Sequence, residues 1–362
     1  MNRKIRIFGL IFLFALTNIA FGQTNKEKAL SKGQEAIELM DNGKIKESIK
    51  LLKEAEKLDP ERFDYPYELA YAHYIDQDYK GAIKILEKNK NHKNVNERLF
   101  QLLGNSYDII GKTEKAFAAY DEGLEKFPNS GMIYLEKGNV YWGKEKYNEA
   151  LPFYEKGIEL DPSFSSNYYR TTLLYCSSTE EVWGLIYGEI FMNLERNSKR
   201  TSEISKLLYD TYKSQINFTS DTSFLVSFSQ NAQINISDLS DTNNIKLPFG
   251  IGVYEPTLML SMISETSIDI NSLYRIRENF INSYYENKRN EDYPNILFDY
   301  QKKVRDAGHF EAYNHWILMK GDEDNFEKWH SENEKKWEAF IEWFTNNGLK
   351  LDNEHKFYSG QY

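Results

Sequence analysis

Metal binding and acid–base catalysis both require clustered side chains, and histidine supplies them most often. The six histidines of this chain are scattered, and no pair has the HExxH spacing of a zinc site. The densest group is His309, Glu311 and His315. Five residues separate its two histidines, a spacing that does not place both on one face of a helix. We therefore predict no metal site.

Signatures of nucleophiles and cofactor sites are also weak. Cys176 is the single cysteine and lies in a helical stretch, where burial as a small apolar side chain is favoured over catalysis. Gly250-Ile251-Gly252 lacks the third glycine and the preceding strand of a dinucleotide-binding motif. Neither a GxSxG sequence nor a phosphate-binding loop occurs. We therefore predict no catalytic residue, no cofactor and a non-enzymatic protein.

Composition limits the class of partner. The 362 residues include 45 Lys and Arg against 55 Asp and Glu, which gives a formal net charge of −10 at pH 7. This acidic balance disfavours a nucleic acid or an anionic membrane as the partner. One cysteine excludes an intrachain disulfide, so stability must come from packing, for which 22 Phe, 26 Tyr and 6 Trp provide the apolar area.

The first 22 residues have the pattern of an export signal. A basic stretch with Arg3, Lys4 and Arg6 precedes a mostly apolar run, and Ala20-Phe21-Gly22 places small residues at a cleavage site before Gln23. The apolar run is shorter than the ~20 residues that a membrane-spanning helix needs, although an uncleaved anchor is the alternative. We expect cleavage, no integral membrane segment afterwards, and a location in the periplasm or outside a bacterial cell.

An internal period of 34 residues organises the first half of the chain. At this offset, small residues align in two columns that are twelve positions apart, and larger residues align four positions after the second column. The columns are Ala36, Ala70, Gly104 and Gly138; Ser48, Ala82, Ala116 and Ala150; and Leu52, Leu86, Tyr120 and Tyr154. Because a small residue on each of two antiparallel helices lets their axes approach closely, each period predicts a helix hairpin.

Turns and prolines complete each unit. Gly43 and Gly111 mark turns between the two helices, while Pro60, Pro128 and Pro162 end the second helix. Together with the small columns, these residues resemble the tetratricopeptide repeat (TPR) family. The resemblance implies repeats at 29–62, 63–96, 97–130 and 131–164, and a degenerate unit at 165–198 with helices near Ser166–Cys176 and Glu180–Glu195.

The period is lost near Thr201, so we predict a separate domain over residues 199–362, after a solenoid at 23–198. Phe224-Val226-Phe228 and Ile234-Ile236 alternate at period two and predict a small β-hairpin there. Helices are expected near Pro256–Ser264, Ser272–Asn287, Ile296–Asp306, His309–Met319 and Asp324–Asn346. The predicted fold class is mainly α: an α–α superhelical solenoid of the TPR type, followed by a mostly helical C-terminal domain with a small β-hairpin.

An aromatic stripe marks the last predicted helix. It consists of Phe326, Trp329, Asn333, Trp337, Phe340 and Phe344. A stripe at helical spacing is typical of a core, and an aromatic binding cleft is the alternative. Trp343 lies off the stripe and fits a core poorly.

The resemblance also implies a binding groove, which positions 5, 9 and 12 of each first helix line on the concave face of the array. Of the fifteen residues at these positions only Asp108 is charged, so peptide binding should depend little on salt. Amides could bond a peptide backbone, and aromatic rings offer rigid apolar contacts. The candidate groove residues are Tyr67, Tyr71, Tyr74, Gln101, Asn105, Asp108, Asn139, Trp142 and Tyr169.

The sequence thus indicates an exported, non-enzymatic interaction or scaffold protein that recognises a peptide or a partner surface through this groove. Its partner would be a protein or a peptide. One alternative is that the C-terminal domain is an enzyme or a small-ligand-binding module presented by the repeats. The other is that the groove has a structural role and is filled by the protein's own C-terminal domain.

Overall fold

The computed structural model of the protein describes residues 24–220, 223–230, 247–352 and 354–362. The predicted export signal and the predicted strand at Ile234-Ile236 lie outside these residues. The chain forms two compact units, which divide in sequence after Phe127. The helices of the first unit are α1 (Asn25–Asp41), α2 (Ile45–Leu58), α3 (Asp64–Ile75), α4 (Tyr79–Asn89), α5 (Glu97–Ile109) and α6 (Thr113–Lys126).

The first unit is a succession of helices, each packed on the next. It begins with a capping box, in which the Thr24 hydroxyl accepts a hydrogen bond from the Glu27 amide and the Glu27 carboxylate accepts one from the Thr24 amide. The predicted small columns lie where helices meet, since Ala36, Ser48 and Ala82 are fully buried. The predicted helix hairpins are confirmed here.

The second unit begins with four more repeat helices and continues into other helical structure. The two helices predicted for the degenerate repeat are confirmed, as α9 and α10. The helices of this unit are α7 (Gly131–Trp142), α8 (Tyr147–Leu160), α9 (Ser165–Tyr175), α10 (Glu181–Leu194), α11 (Lys199–Gln215), α12 (Glu255–Ser261), α13 (Ile270–Glu286), α14 (Arg289–Asp292), α15 (Ile296–Asp306), α16 (Phe310–Leu318), α17 (Glu323–Glu332) and α18 (Glu334–Asn346).

One hydrophobic cluster extends through the second unit, from Ile158 on α8 to Phe357 near the end of the chain. It includes residues on both sides of the predicted domain limit between residues 198 and 199, and α10 packs on α11 across that limit. The predicted domain limits stay a prediction.

A buried charge connects four helices of this unit. The carboxylate of Glu189 on α10 accepts hydrogen bonds from Arg277 on α13, from the Gln301 amide on α15 at 2.6 Å, and from the Tyr313 hydroxyl on α16 at 2.8 Å. Glu189 and Arg277 are both buried, so their opposite charges compensate each other in a low-dielectric interior.

The last predicted helix, Asp324–Asn346, consists of two helices, α17 and α18, because the helical conformation is interrupted at Asn333. The Asn333 side chain donates a hydrogen bond to the Trp329 carbonyl at 2.9 Å, which competes with helical continuation of the backbone. The aromatic stripe nevertheless forms core: Phe326, Trp329, Phe340 and Phe344 are buried. Trp343 is half-buried against His309, with the ring centroids 5.2 Å apart.

A small β-hairpin is present, as predicted, and the described residues pair it over 216–226. β1 (Ile216–Ser220) pairs in antiparallel fashion with β2 (Ser223–Val226), and the rings of Phe218 and Phe224 contact each other at 5.9 Å across the pair. The predicted pairing of the second strand with Ile234-Ile236 lies outside the described residues. The first strand, β1, begins at the residue after α11 ends. It was not predicted from the sequence, because the helical pattern of α11 leads into it without a turn signal.

Candidate partner-binding faces of the repeat helices

Three tyrosines form an aromatic surface in the first unit, which we call the tyrosine face: Tyr71 and Tyr74 on α3, and Tyr79 on α4. The rings of Tyr71 and Tyr74 are stacked at 6.5 Å, because residues three apart lie on one side of a helix. The edge of Tyr79 meets Tyr74 at 5.4 Å. Tyr71 is 40% exposed, and Ile75 beside it on the helix is 41% exposed. This face therefore presents apolar area to solvent.

Tyr67, four residues before Tyr71, has a different environment. It is only 7% exposed, and the guanidinium of Arg98 on α5 lies over its ring at 4.4 Å from the centroid. Burial raises the pKa of the Tyr67 hydroxyl. Its ring thus packs between successive repeats, and its exposed neighbour Tyr71 is the stronger candidate for contact with a partner.

The three candidate residues of α5, Gln101, Asn105 and Asp108, are half-buried. The Asn105 side-chain oxygen accepts a hydrogen bond from the hydroxyl of Tyr120 on α6, within the same repeat. Asp108 accepts one from the Thr113 hydroxyl at 3.3 Å. The bonds of Asn105 and Asp108 hold the two helices of the repeat together, and the role of all three residues towards a peptide stays a prediction.

The second unit repeats this arrangement. Asn139 on α7 accepts a hydrogen bond from the hydroxyl of Tyr154 on α8 at 3.1 Å, and its amide nitrogen donates to Glu136 at 3.1 Å. Asn139 and Tyr154 stand 34 residues after Asn105 and Tyr120. The same tether between first and second helices therefore occurs in consecutive repeats.

Cations lie against the aromatic candidates of the second unit. The guanidinium of Arg170 is 4.7 Å from the ring centroid of Trp142, and that of Arg200 is 4.9 Å from the ring of Tyr169. The Tyr169 hydroxyl donates to Glu203 at 2.8 Å. We call Trp142, Tyr169, Arg170 and Arg200 the arginine ladder.

The arginines were absent from the sequence-based set of groove residues. Arg170 directly follows Tyr169, and a guanidinium next to aromatic residues is the signal that could have indicated it. Arg200 carries an ion pair with Glu195, whereas Arg170 makes no ion pair within the part of the chain that the structure describes. This face is therefore charged, unlike the predicted groove positions.

The side chains considered for catalysis, Cys176 and His315, are packed among other side chains. Burial raises the pKa of the Cys176 thiol to about 12, which leaves it protonated and weakly nucleophilic near neutral pH. His315 is buried, and its ring stacks on Trp329 with centroids 4.0 Å apart. Burial lowers the pKa of His315. Within the described residues, no three side chains of His, Cys, Asp or Glu are grouped as metal ligands.

A cleft of about 460 Å³ in the second unit is lined by residues of α13, α15, α16 and α18 and of the turn before α16, including Glu278, His309 and Glu311. Glu311 accepts hydrogen bonds from the Trp329 indole and from Lys336, both at 2.8 Å. Burial opposes ionisation of Glu311, but these donors outweigh it and lower its pKa. Glu311 is therefore stabilised as a carboxylate. A small-ligand site in the C-terminal helices stays a prediction.

None of the helices in the described ranges has both the length and the apolar character that a bilayer span requires.

Family models described as tetratricopeptide repeat match residues 34–88 and 132–164. The TPR repeat-containing protein YpiA of Bacillus subtilis (strain 168) is 23% identical over 147 residues, which cover 41% of this chain and 34% of that protein. This chain thus matches about a third of the length of that relative.

Among solved structures, PilF of Pseudomonas aeruginosa is 18% identical, with a TM-score of 0.43 over 52% of this chain and 85% of that one. A thermophilic TPR protein of Thermus thermophilus is 14% identical, with a TM-score of 0.41 over 50% of this chain and 98% of that one.

Proposed function

We propose that this chain, whose residues 34–88 and 132–164 match tetratricopeptide repeat models, is a helical repeat scaffold that binds an extended segment of a partner protein through exposed aromatic side chains on its repeat helices. The observation that carries this proposal is the tyrosine face, where Tyr71 presents a rigid ring to solvent beside Tyr74. Such rings bury a large apolar area on binding and lose little conformational entropy.

The arginine ladder supports a more specific partner chemistry in the second unit. Arg170 is positioned on Trp142 by a cation–π contact and has no ion pair among the described residues, so an acidic side chain of the partner would find a preorganised cation beside an apolar ring. Binding at this face would weaken as the salt concentration rises. This expectation replaces the nearly salt-independent binding predicted from the groove positions alone.

Export of the chain is part of the proposal. The basic stretch with Arg3, Lys4 and Arg6, the apolar run after it and Ala20-Phe21-Gly22 support it. The partner would then be another protein of the bacterial envelope or the surroundings of the cell.

Selection from a random peptide library on the full chain tests the proposal. Peptides enriched by the wild-type chain should bind the Tyr71→Ala or Trp142→Ala variant at least about tenfold more weakly, because aromatic anchors dominate interface energies. Arg170→Gln should reduce the dependence of affinity on salt for enriched peptides that contain acidic residues.

Leu225→Ala is a matched control, since Leu225 is 64% exposed and lies outside the repeats. It should leave peptide binding unchanged. Enriched peptides that bind the Tyr71, Trp142 and Arg170 variants as tightly as the wild type would refute binding through these faces. Circular dichroism of each variant identifies a loss of binding that comes from unfolding.

A further inference from the structure

The last residues of the chain return to the second unit and insert two aromatic rings into it. We call residues 357–362 the tail segment, and Trp183, Tyr187, Phe249 and Tyr293 the aromatic seat. Tyr362 contacts three rings of the seat: Phe249 at 5.3 Å, Trp183 at 5.7 Å and Tyr293 at 6.0 Å, the last in stacked geometry. Phe357 is 2% exposed and contacts Trp183 at 6.2 Å and Tyr187 at 6.4 Å.

Hydrogen bonds hold the tail segment between these two rings. The Ser359 amide donates to the Tyr187 hydroxyl at 2.6 Å, and the Ser359 hydroxyl donates to the carboxylate of Glu155 on α8. The Tyr362 hydroxyl donates to the Pro294 carbonyl. Two aromatic anchors with polar contacts between them are the usual elements of peptide recognition.

The described part of the stretch between α18 and the tail segment has no regular secondary structure, although Leu351 within it is buried in the core. After α18 ends at Asn346, no α-helix or strand follows in the described residues, and Asp352, Glu354 and His355 are exposed. A single 3₁₀ turn, Ser359–Gln361, gives the tail segment its shape. The segment is therefore attached through its aromatic rings and a few hydrogen bonds, as a bound peptide would be, and not through a shared sheet or helix bundle.

A cleft adjoins the tail segment where it meets the seat. A cavity of about 240 Å³ remains beside Ser359 and Tyr362, bordered by Trp183 and Phe249 on the side of the seat. Concave surfaces lined by aromatic side chains are typical of ligand sites.

We propose that the aromatic seat is a peptide-binding site, distinct from the repeat faces, and that the tail segment is its exchangeable ligand. The site would accept a turn-forming segment of a partner that carries two aromatic residues separated by four others, as Phe357 and Tyr362 are. A tethered ligand has an effective concentration of the order of millimolar, so the chain's own segment excludes weaker competitors.

A chain cut after folding tests this proposal and avoids a truncation that could fail to fold. A protease site is inserted after the exposed Glu354, the full chain is folded and then cut, and the released segment is removed by gel filtration. A fluorescent peptide with the sequence of residues 355–362 should then bind the cut chain and fail to bind the uncut chain. Circular dichroism should show that the cut chain stays folded.

Peptide variants give the matched controls. Tyr362→Ala in the peptide should weaken binding at least about tenfold, because it removes the ring that contacts three seat residues. His355→Ala should leave binding unchanged, because that side chain is exposed and contacts Asp352 outside the seat. The proposal is overturned if the cut segment cannot be removed, if cutting unfolds the chain, if the cut chain stays folded but binds no peptide, or if Tyr362→Ala binds like the wild-type peptide.

Discussion

At the scale of single residues, the close approach of the two helices in a repeat depends on a small residue on the first helix and a larger residue opposite it on the second. A Cβ atom at Gly104 or Gly138 would overlap the ring of Tyr120 or Tyr154, which crosses the glycine from the second helix. In the first two repeats the corresponding small residues are alanines, and the large residues opposite them are leucines: Ala36 with Leu52, and Ala70 with Leu86. A tyrosine ring that bonds to Asn105 or Asn139 lies across the first helix and leaves space only for glycine. A leucine at the same position leaves space for the methyl group of an alanine.

We expect Gly104→Ala to lower the stability of the chain by about 1–3 kcal/mol, the usual range for overpacking a buried contact. Adding Tyr120→Leu should recover part of this loss, because the pair then has the composition found in the first two repeats. Thermal melts of the two single variants and the double variant measure the coupling. Strict additivity of the two effects would show that the glycine and the tyrosine do not depend on each other.

At the scale of elements, the turn inside each of the four regular repeats has one residue in the left-handed conformation at the same position. Gly43 and Gly111 have φ of 74°, and Gln77 and Glu145 have φ of 62° and 57°. The helix must reverse direction within a few residues, and this conformation ends it. Glycine adopts it without strain, whereas a residue with a Cβ atom does so at a cost of about 1–2 kcal/mol.

Gln77→Gly should therefore raise the stability of the chain by up to about 1 kcal/mol, since relief of the backbone strain exceeds the added entropy of the unfolded chain. Gly43→Ala is the reciprocal control and should lower stability by a similar amount. Denaturant unfolding followed by circular dichroism measures both. Destabilisation by Gln77→Gly would mean that its side chain makes a contact worth more than the strain.

At the scale of the whole molecule, the repeats are divided between two compact units, and the second unit joins repeat helices to non-repeat helices through one core. The buried carboxylate of Glu189 belongs to a repeat helix, and its partners Arg277, Gln301 and Tyr313 belong to the later helices. Removing either partner of a buried ion pair leaves an uncompensated charge. The degenerate repeat is thus integrated into the helices that follow it.

The proposed export predicts the start of the mature chain. Protein isolated from its native host should begin at or near Gln23, because cleavage follows small residues at Ala20 and Gly22. N-terminal sequencing of the protein from the cell envelope checks this. Intact Met1 on protein recovered from the cytoplasm would contradict it.

The sequence by itself determined the repeat register, the helix hairpins and the turns between them. These features depend on residues within one 34-residue unit, where small columns and turn residues act through local geometry. It also predicted Tyr71 and Trp142 as groove residues, and their contact with a partner stays a prediction. Both keep exposed or partly exposed rings in the structure.

Only the tertiary structure decided which neighbours these residues have. The burial of Tyr67 depends on Arg98 from the next repeat, and the seat of Tyr362 consists of residues 69 or more positions away in sequence. The end of α17 at Asn333 and the pairing of β2 with the strand before it were likewise not predicted from the sequence. The periodicity of a sequence shows which face of a helix or strand is apolar. Which other element packs against that face depends on packing across the whole unit, and a local sequence pattern does not contain this information.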